Sequence, residues 1–542
     1  MLGLQKIGLL AFLIGLIIFC VTPFLGSFKL NEQDLQAYLT AKGYQYEIFQ
    51  NELVNNVVDK EFSTAFGMSV PIITAVEKSN NHYRELNDWN KQIYDKPPQV
   101  AYALVQRSGN GLIVENMGLF FFLTFGLGII GSLLFVMLNY KILGPPGIKN
   151  NHIYQRASTN RGWIAWIVFS FLVGFYILLY FYPNTIMNWV YIVQPVKDLF
   201  GGESSQWFLY GVLYCVAMSI MGVRMIIKYR NNKYQIVRTI SVVFFQVVFA
   251  FLLVEILPLF QLPAVDLKNA WPLDYDFLFD WNVKSLINNG NFGKFVFVWG
   301  IALSLVVIPL LVYFYGKRWY CSWVCGCGGL AETLGDPYRQ HSSKKLVAWK
   351  FERYIIHGVL VFAVLMTVWT GYHSYQEIYN SELDYNLKTQ LFGISSDSIR
   401  GWYGFLIGSI FSGVIGTGFY PIFGNRVWCR FGCPLAAYMG IVQRFKSRFR
   451  ITTNGGQCIS CGNCSTYCEQ GIDVRAYAQK GQNIVRASCV GCGVCSAVCP
   501  RGVLKLENAP NDSKSRVEEP VIIVGNDGLL EVTRSAHEGV DQ

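Results

Sequence analysis

Eight long apolar stretches divide the chain. They fall at roughly 7–28, 118–140, 162–182, 207–227, 239–260, 294–316, 353–372 and 403–423. An α-helix rises about 1.5 Å per residue, so about 20 apolar residues cross a hydrocarbon layer about 30 Å thick. Each stretch reaches that length and predicts a transmembrane helix. Between the first and second lies a polar segment, 29–117, with helical patterning around Asn31–Lys42 and Val76–Ile93. Within it, Pro98–Val105 and Leu112–Val114 flank Gly109-Asn110-Gly111 and read as a hairpin. From 451 to 508 the long apolar runs give way to cysteine-rich sequence. Residues 509–542 form a polar tail with one strand pair, Val521–Val524 and Leu529–Val532, across Asn526-Asp527-Gly528.

Composition agrees with membrane spans. Of 542 residues, 52% are hydrophobic and 15% charged, and the mean hydropathy is +0.31. The expected fold is a mainly α membrane protein of about eight transmembrane helices. It comprises an anchor (1–28), a small periplasmic domain (29–117), a seven-helix membrane domain (118–450), an α+β module (451–508) and the tail (509–542). The first stretch is longer than a signal-peptide core, and no A-x-A site follows it. Phe19 before Cys20 also lacks the small side chain of a lipoprotein site. An uncleaved anchor is the expectation.

Charge orients the helices. Lys141, Lys149, Arg156 and Arg161 lie in one connection, and Arg224, Lys228, Arg230, Lys233 and Arg238 in another. Lys317, Arg318, Arg339, Lys344, Lys345 and Lys350 follow the sixth stretch; Arg426, Arg430, Arg444, Lys446, Arg448 and Arg450 follow the eighth. Alternate connections are acidic or mixed. The positive-inside rule then places both termini and residues 451–508 in the cytoplasm, and 29–117 in the periplasm, of a bacterial inner membrane. The net charge of +10 reflects topology, and no nucleic-acid-reading motif accompanies it. Membrane lipid is the expected surrounding, with redox partner proteins on the cytoplasmic and periplasmic faces.

Two cysteine runs carry the chemistry. Cys458, Cys461, Cys464 and Cys468 form the first; Cys489, Cys492, Cys495 and Cys499, followed by Pro500, form the second. Both have the C-x₂-C-x₂-C-x₃-C spacing of cubane iron–sulfur clusters, in which the fourth cysteine reaches the partner cluster. One cube is then held by Cys458, Cys461, Cys464 and Cys499, the other by Cys489, Cys492, Cys495 and Cys468. Gly462, Gly491 and Gly493 leave room for the backbone to approach the inorganic core. Zinc sites favour CxxC pairs set apart by a spacer, which these runs do not match. One departure stands out: Cys468 is followed by Glu469 where proline is usual.

A second constellation lies upstream. Lys317-Arg318-Trp319-Tyr320-Cys321-Ser322-Trp323-Val324-Cys325-Gly326-Cys327 follows the sixth stretch, and Arg426-Val427-Trp428-Cys429-Arg430-Phe431-Gly432-Cys433-Pro434 follows the eighth. Paired Cys-x₃-Cys segments at membrane edges, ahead of a double-cubane module, resemble the NapH/NosR/CcoG group of polytopic iron–sulfur membrane proteins. The match spans roughly 294–508. Cys429-x₃-Cys433-Pro434 fits the group's motif in full, whereas Cys321-x₃-Cys325 has Gly326 for proline and an added Cys327. The resemblance implies passage of single electrons between a quinol pool or cytoplasmic donor and a respiratory partner such as a periplasmic reductase. The chain would then be one redox component of a respiratory oxidoreductase system. Its alternatives are copper reduction for metalloenzyme maturation, as in CcoG, and a redox-sensing scaffold.

The residues leave several roles open. Cys321, Cys325, Cys327, Cys429 and Cys433 could hold copper(I) or a further cluster, form a redox dithiol, or remain reduced and structural. Glu255, inside the fifth stretch, is a candidate quinol or proton site, with snorkelling at the interface as its rival. Trp189, Trp271, Trp281 and Trp402 read as interface anchors or as walls of a quinone site. His357 and His373 lie at opposite ends of one stretch, so haem is not expected, and no flavin-attachment motif occurs.

Overall fold

The computed structural model describes residues 2–143, 160–268, 270–379, 390–391, 394–454, 457–508, 521–524 and 530–533. Most of the basic connection 141–161, part of the loop 373–402 and most of the tail 509–542 lie outside them. The chain is mainly helical and divides into two compact units.

The first unit comprises Met1–Ile142 and Gly174–Ile220. Helix α1 (Leu2–Val21) leads into strand β1 (Ser27–Lys29), helices α2 (Glu32–Lys42) and α3 (Glu47–Asn56), strand β2 (Glu61–Phe62) and helix α4 (Ala65–Glu85). Helix α5 (Pro97–Arg107) and strand β3 (Gly109–Asn110) follow, closing an antiparallel sheet of order β2-β1-β3. The expected hairpin at 98–105 is therefore a helix. Two prolines in its first turn lack only N–H groups that a helix start leaves unpaired anyway, and Gln99 Oε1 accepts from the Lys96 backbone N–H at 3.3 Å. Val100, Ala101, Leu104 and Val105 share one helical face and are fully buried.

Helix α6 (Met117–Leu138) packs tightly on α1. A Cβ added at Gly131 would sit 2.5 Å from the Phe12 backbone nitrogen and 2.6 Å from the Gly8 carbonyl oxygen. Small residues at such crossings let two backbones touch where lipid offers no hydrophobic drive. After α7 (Trp163–Phe181) the chain returns to the end of α1. There Asn188 donates to the Thr22 carbonyl at 3.0 Å, Trp189 Nε1 to the Phe19 carbonyl at 2.6 Å, and the Trp189 ring stacks on Phe19.

The second unit comprises Leu143–Val173 and Met221–Gln542. It holds the end of α8 (Gln206–Lys228), then α9 (Lys233–Phe260), α10 (Gly290–Tyr315) and α11 (Leu346–Tyr379). Among the described residues, seven helices are long and apolar enough to cross a membrane. The eighth apolar stretch, expected at 403–423, starts and stops earlier. Helix α12 (Ser396–Tyr403) continues as a π-helical run, Gly404–Ile415, and then breaks into turns. Gly416, Gly418 and Pro421 follow that break, and none favours a continuing helix. This segment nonetheless brings the chain back. Helix α11, 34 residues long, leads about 50 Å away from the cysteine segments, and Trp428 is again beside them.

Helix α13 (Pro434–Lys446) then enters the cysteine-rich module. Strands β4 (Phe449–Thr453) and β5 (Leu504–Asn508) pair antiparallel, Phe449 with Asn508 through Thr453 with Leu504, and tie the module's two ends together. A last antiparallel pair, β6 (Val521–Val524) and β7 (Leu530–Thr533), matches the strands expected in the tail to within a residue.

The close helix crossing generates a prediction of opposite signs. Gly→Ala in a helix ordinarily stabilises by about 0.4–1 kcal/mol. Gly128 has open space where its Cβ would be, so Gly128→Ala should raise or preserve the melting temperature in detergent. Gly131→Ala should lower it, because backbone atoms of α1 cannot yield.

Candidate iron–sulfur site

The ferredoxin-type module builds its two cysteine loops alike. Gly462 and Gly493 adopt left-handed φ of 79° and 74°, and each starts a one-turn helix, Asn463–Thr466 and Val494–Ala497. The turns bring cysteines together across the two runs. Cys458, Cys461, Cys464 and Cys499 line one small cavity. Burial raises the Cys464 thiol to about 12, and neighbouring Cys499, Cys461 and Cys458 add to the rise. In the other group Cys495 is raised by burial and then by Cys492, Cys468 and Cys489. The thiols of Cys489 and Cys492, also buried, stand at about 11 and about 12. Buried thiols ionise only when positive charge comes with them, which bound iron supplies. Four sulfurs about one cavity fit a cubane cluster held by the first set.

The upstream cysteines converge in a single core. Cys321, Cys325, Cys429 and Cys433 are buried with Tyr320, Trp428 and Leu435, and Cys327 packs against them. Cys321 ends a turn of helix, Arg318–Cys321, and Cys325 precedes the helix Gly326–Glu332. Cys429 lies in a π turn, Trp428–Gly432, and Cys433 caps α13, its sulfur accepting from Ala436 N at 3.4 Å. Burial pushes Cys321 up to about 12 and Cys433 well up, and Cys433 also feels Cys429, Cys325 and Cys321. Cys325 moves the other way, to about 6, chiefly because the Cys327 thiol donates to it. Among the described residues no three Cys, His, Asp or Glu side chains gather as they would round one metal ion.

The module docks directly on this core. Val490 is part of it, and Cys492 packs against it. Five main-chain carbonyls of the 486–492 loop are captured. Gln443 Nε2 donates to Arg486 O at 2.8 Å and Cys489 O at 2.7 Å, and Ser322 Oγ to Val490 O at 2.9 Å. Tyr234 OH donates to Gly491 O at 2.9 Å and Gln235 Nε2 to Cys492 O at 2.8 Å. The glycines serve this docking. A Cβ at Gly493 would lie 2.8 Å from the Tyr234 ring and one at Gly491 2.5 Å from Arg318 Cβ, whereas Gly462 faces open space.

Beneath both groups runs a buried ion network that no spacing motif announces. Glu469, 1% exposed, accepts from Arg339 Nη1 at 2.6 Å and forms an ion pair with Arg426 Nη2 at 3.0 Å. Arg426 also pairs with Glu332 and places Nη1 3.2 Å from Cys321 O and 3.6 Å from Cys429 Sγ. Arg238 pairs with Glu332 from the membrane side. Asp336 takes Arg339 at 2.7 Å, Arg224 at 2.6 Å and Lys228 at 2.8 Å. Five cations thus meet three carboxylates. Burial alone would raise Asp336, but Lys228, Arg224 and Arg339 outweigh it and hold the carboxyl well below its usual range. Glu469 is lowered against burial by Arg426 and Arg339. The Cys-Glu departure in the first run therefore has a structural reason: the proline's place holds the carboxylate that fastens the module to the Arg426 segment.

Glu255 stands apart. It is half-buried in a turn of α9, roughly 30 Å along that helix from Gln235.

Comparisons with known proteins agree on the domains. Residues 298–346 and 403–452 match a 4Fe-4S binding domain, and 450–500 match a 4Fe-4S dicluster domain. The first of these spans both Cys-x₃-Cys segments. The protein YccM of Escherichia coli (strain K12), provisionally named for electron transport, is 26% identical over 190 residues, 34% of this chain and 50% of YccM. The methylamine utilization ferredoxin-type protein MauN of Methylobacillus flagellatus (strain ATCC 51484 / DSM 6875 / VKM B-1610 / KT) is 23% identical over 169 residues, 31% of this chain and 54% of MauN. The chain spans about half the length of these curated relatives. No solved structure matches it.

Two outcomes follow from the ion network. Glu469→Gln leaves Arg339 and Arg426 short of a buried counter-charge and should cost about 3–5 kcal/mol, read as a fall in denaturation midpoint. Asp336 titrates at 3.8 when unfolded and lower when folded, so its stabilisation is complete above that unfolded value and fades as pH falls through the folded one. The stability gap between wild type and Asp336→Asn should be widest near neutral pH and narrow in acid.

Proposed function

We propose that the protein is a membrane-bound iron–sulfur electron carrier with three centres. Two are cubane clusters, held by Cys458, Cys461, Cys464 and Cys499 and by Cys489, Cys492, Cys495 and Cys468. The third is a thiolate-bound cluster at the membrane face, held by Cys321, Cys325, Cys429 and Cys433, with Cys327 tuning Cys325 or replacing it. When bound, such clusters accept and release single electrons. The observation that carries this reading is the shared packing of the 489–492 loop with the five-cysteine core. It sets the second ferredoxin site directly against the upstream cysteines.

The protein's own residues supply what a chain of centres needs. The five carbonyl contacts fix the module's register, Trp428 and Tyr320 help exclude water, and the cationic excess around Arg426 and Arg339 offsets the charge of thiolate ligands. On the resemblance to NapH- and NosR-type proteins, electrons pass between a quinol pool or cytoplasmic donor and a respiratory partner. The module then faces the cytoplasm of a bacterial inner membrane, with residues 29–117 in the periplasm.

Iron and acid-labile sulfide counted on one reconstituted sample test the third centre. We expect about twelve irons per chain, falling to about eight in Cys429→Ser and in Cys433→Ser with the ferredoxin EPR signals kept. About eight irons in wild type, unchanged by either substitution, would refute it.

A further inference from the structure

Beside the docked loop lies a cavity of about 740 Å³, within the usual range for small-molecule sites. Tyr234, Ser241 and Phe245 of α9 line one side, and Tyr315, Trp319, Trp323 and Val324 another. The module closes it with Gly493, Ser496, Lys505 and Leu506, and Arg318 lies between. We propose that this cavity binds the planar head group of a membrane quinone, at the join between the membrane helices and the ferredoxin-type module.

Its shape has two chemically distinct ends. From Tyr234 to Phe245 the α9 wall rises about 16 Å, away from the module and into a helix of the membrane-spanning kind. Tyr315 ends α10 and is 47% exposed, and Phe244 beside the deep end is 50% exposed. An isoprenoid tail can leave between these apolar side chains toward lipid. The other end carries Arg318 and Lys505, donors suited to carbonyl oxygens. Between the ends stand Tyr234, Trp319 and Trp323, surfaces on which a flat ring stacks.

Placement gives the ligand a redox meaning. Gly493 lies between Cys492 and Cys495, and Val324 immediately precedes Cys325, so the cavity wall includes chain neighbours of both cysteine groups. Tyr234 links wall and loop, accepting from Trp323 Nε1 at 3.2 Å while donating to Gly491 O. Oxidation of a bound hydroquinone breaks two O–H bonds. Two protons pass to water at the exposed Lys505 side, and two electrons pass singly to the iron–sulfur clusters of the proposed carrier. The inference thus rests on that reading and adds to it the place of quinol.

The test uses the full iron-loaded chain in detergent, with menadione as probe. Menadione should quench tryptophan fluorescence saturably, through Trp319 and Trp323. Ser241→Leu, which fills the cavity, and Phe245→Ala, which removes a wall, should each weaken binding at least tenfold; either variant suffices if it keeps its iron. Bleaching of the cluster absorbance by menadiol is read in parallel. Bleaching in wild type with unchanged affinity in the variants would overturn the cavity assignment and leave the carrier reading intact. Quenching that never saturates, or saturable binding of FMN instead of menadione, would also overturn the assignment. Absence of both binding and bleaching would remove quinol from the proposed function as well.

Discussion

The contact between Arg426 and Glu469 joins the segment of the upstream cysteines to the ferredoxin-type module. Arg426 belongs to the segment carrying Cys429 and Cys433, and Glu469 adjoins Cys468, a ligand position of the second ferredoxin site. Both side chains are almost fully buried, at 1% exposure each. Two such charges out of water are tolerable only together, because removing either leaves an uncompensated ion in a medium of low dielectric. The pair therefore acts as a registration device. The module reaches low energy only in the position that satisfies Arg426, and there the 489–492 loop meets the upstream cysteine core.

The network around that pair has an asymmetry with electrostatic consequences. Arg224, Lys228, Arg238, Arg339 and Arg426 outnumber Glu332, Asp336 and Glu469. The three fully buried arginines match the three carboxylates, and the surplus is Arg224 and Lys228, 24% and 15% exposed at the network's edge; part-buried positive charge is unfavourable unless negative charge lies close by. Thiolates of the proposed third centre would supply it, and Arg426 already reaches the Cys429 sulfur. On that proposal, metal loading and the stability of this interior are coupled. The same field favours whichever redox state of a nearby centre carries more negative charge, so it bears on potential as well as on folding.

Much of this architecture could be read from residue order. Seven of the eight apolar stretches are long helices, because length against membrane thickness is a one-dimensional property. The ferredoxin-type module was legible because most of its cysteines are local in sequence, spaced by two and three residues, and a 4Fe-4S dicluster domain matches there. The misreadings arose where neighbours in space decide. Pro97-Pro98 suited a turn as well as a helix start, and burial of Val100, Ala101, Leu104 and Val105 chose the helix. The eighth stretch is apolar to Phe423, but Gly416 and Pro421 end its helix sooner. The repeat of Cys321/Cys325 and Cys429/Cys433 suggested that the pairs belong together, while their docking on Val490 left no trace in spacing. Glu469 was visible as an oddity, since glutamate stood where proline is usual, but its Arg339 and Arg426 partners lie 130 and 43 positions away.

The hydrogen bonds that hold the loop from Arg486 to Cys492 fall on its peptide oxygens, while Val490 packs into the core. Gln443, Ser322, Tyr234 and Gln235 address atoms that every amino acid possesses. The joint therefore specifies a backbone path rather than a set of side chains. The burden of retaining the joint falls on the donors, which lie in distant segments. Two chains could share this joint while showing little likeness in the loop itself, and a search for it should follow the amides and hydroxyls that grip rather than the residues that are gripped.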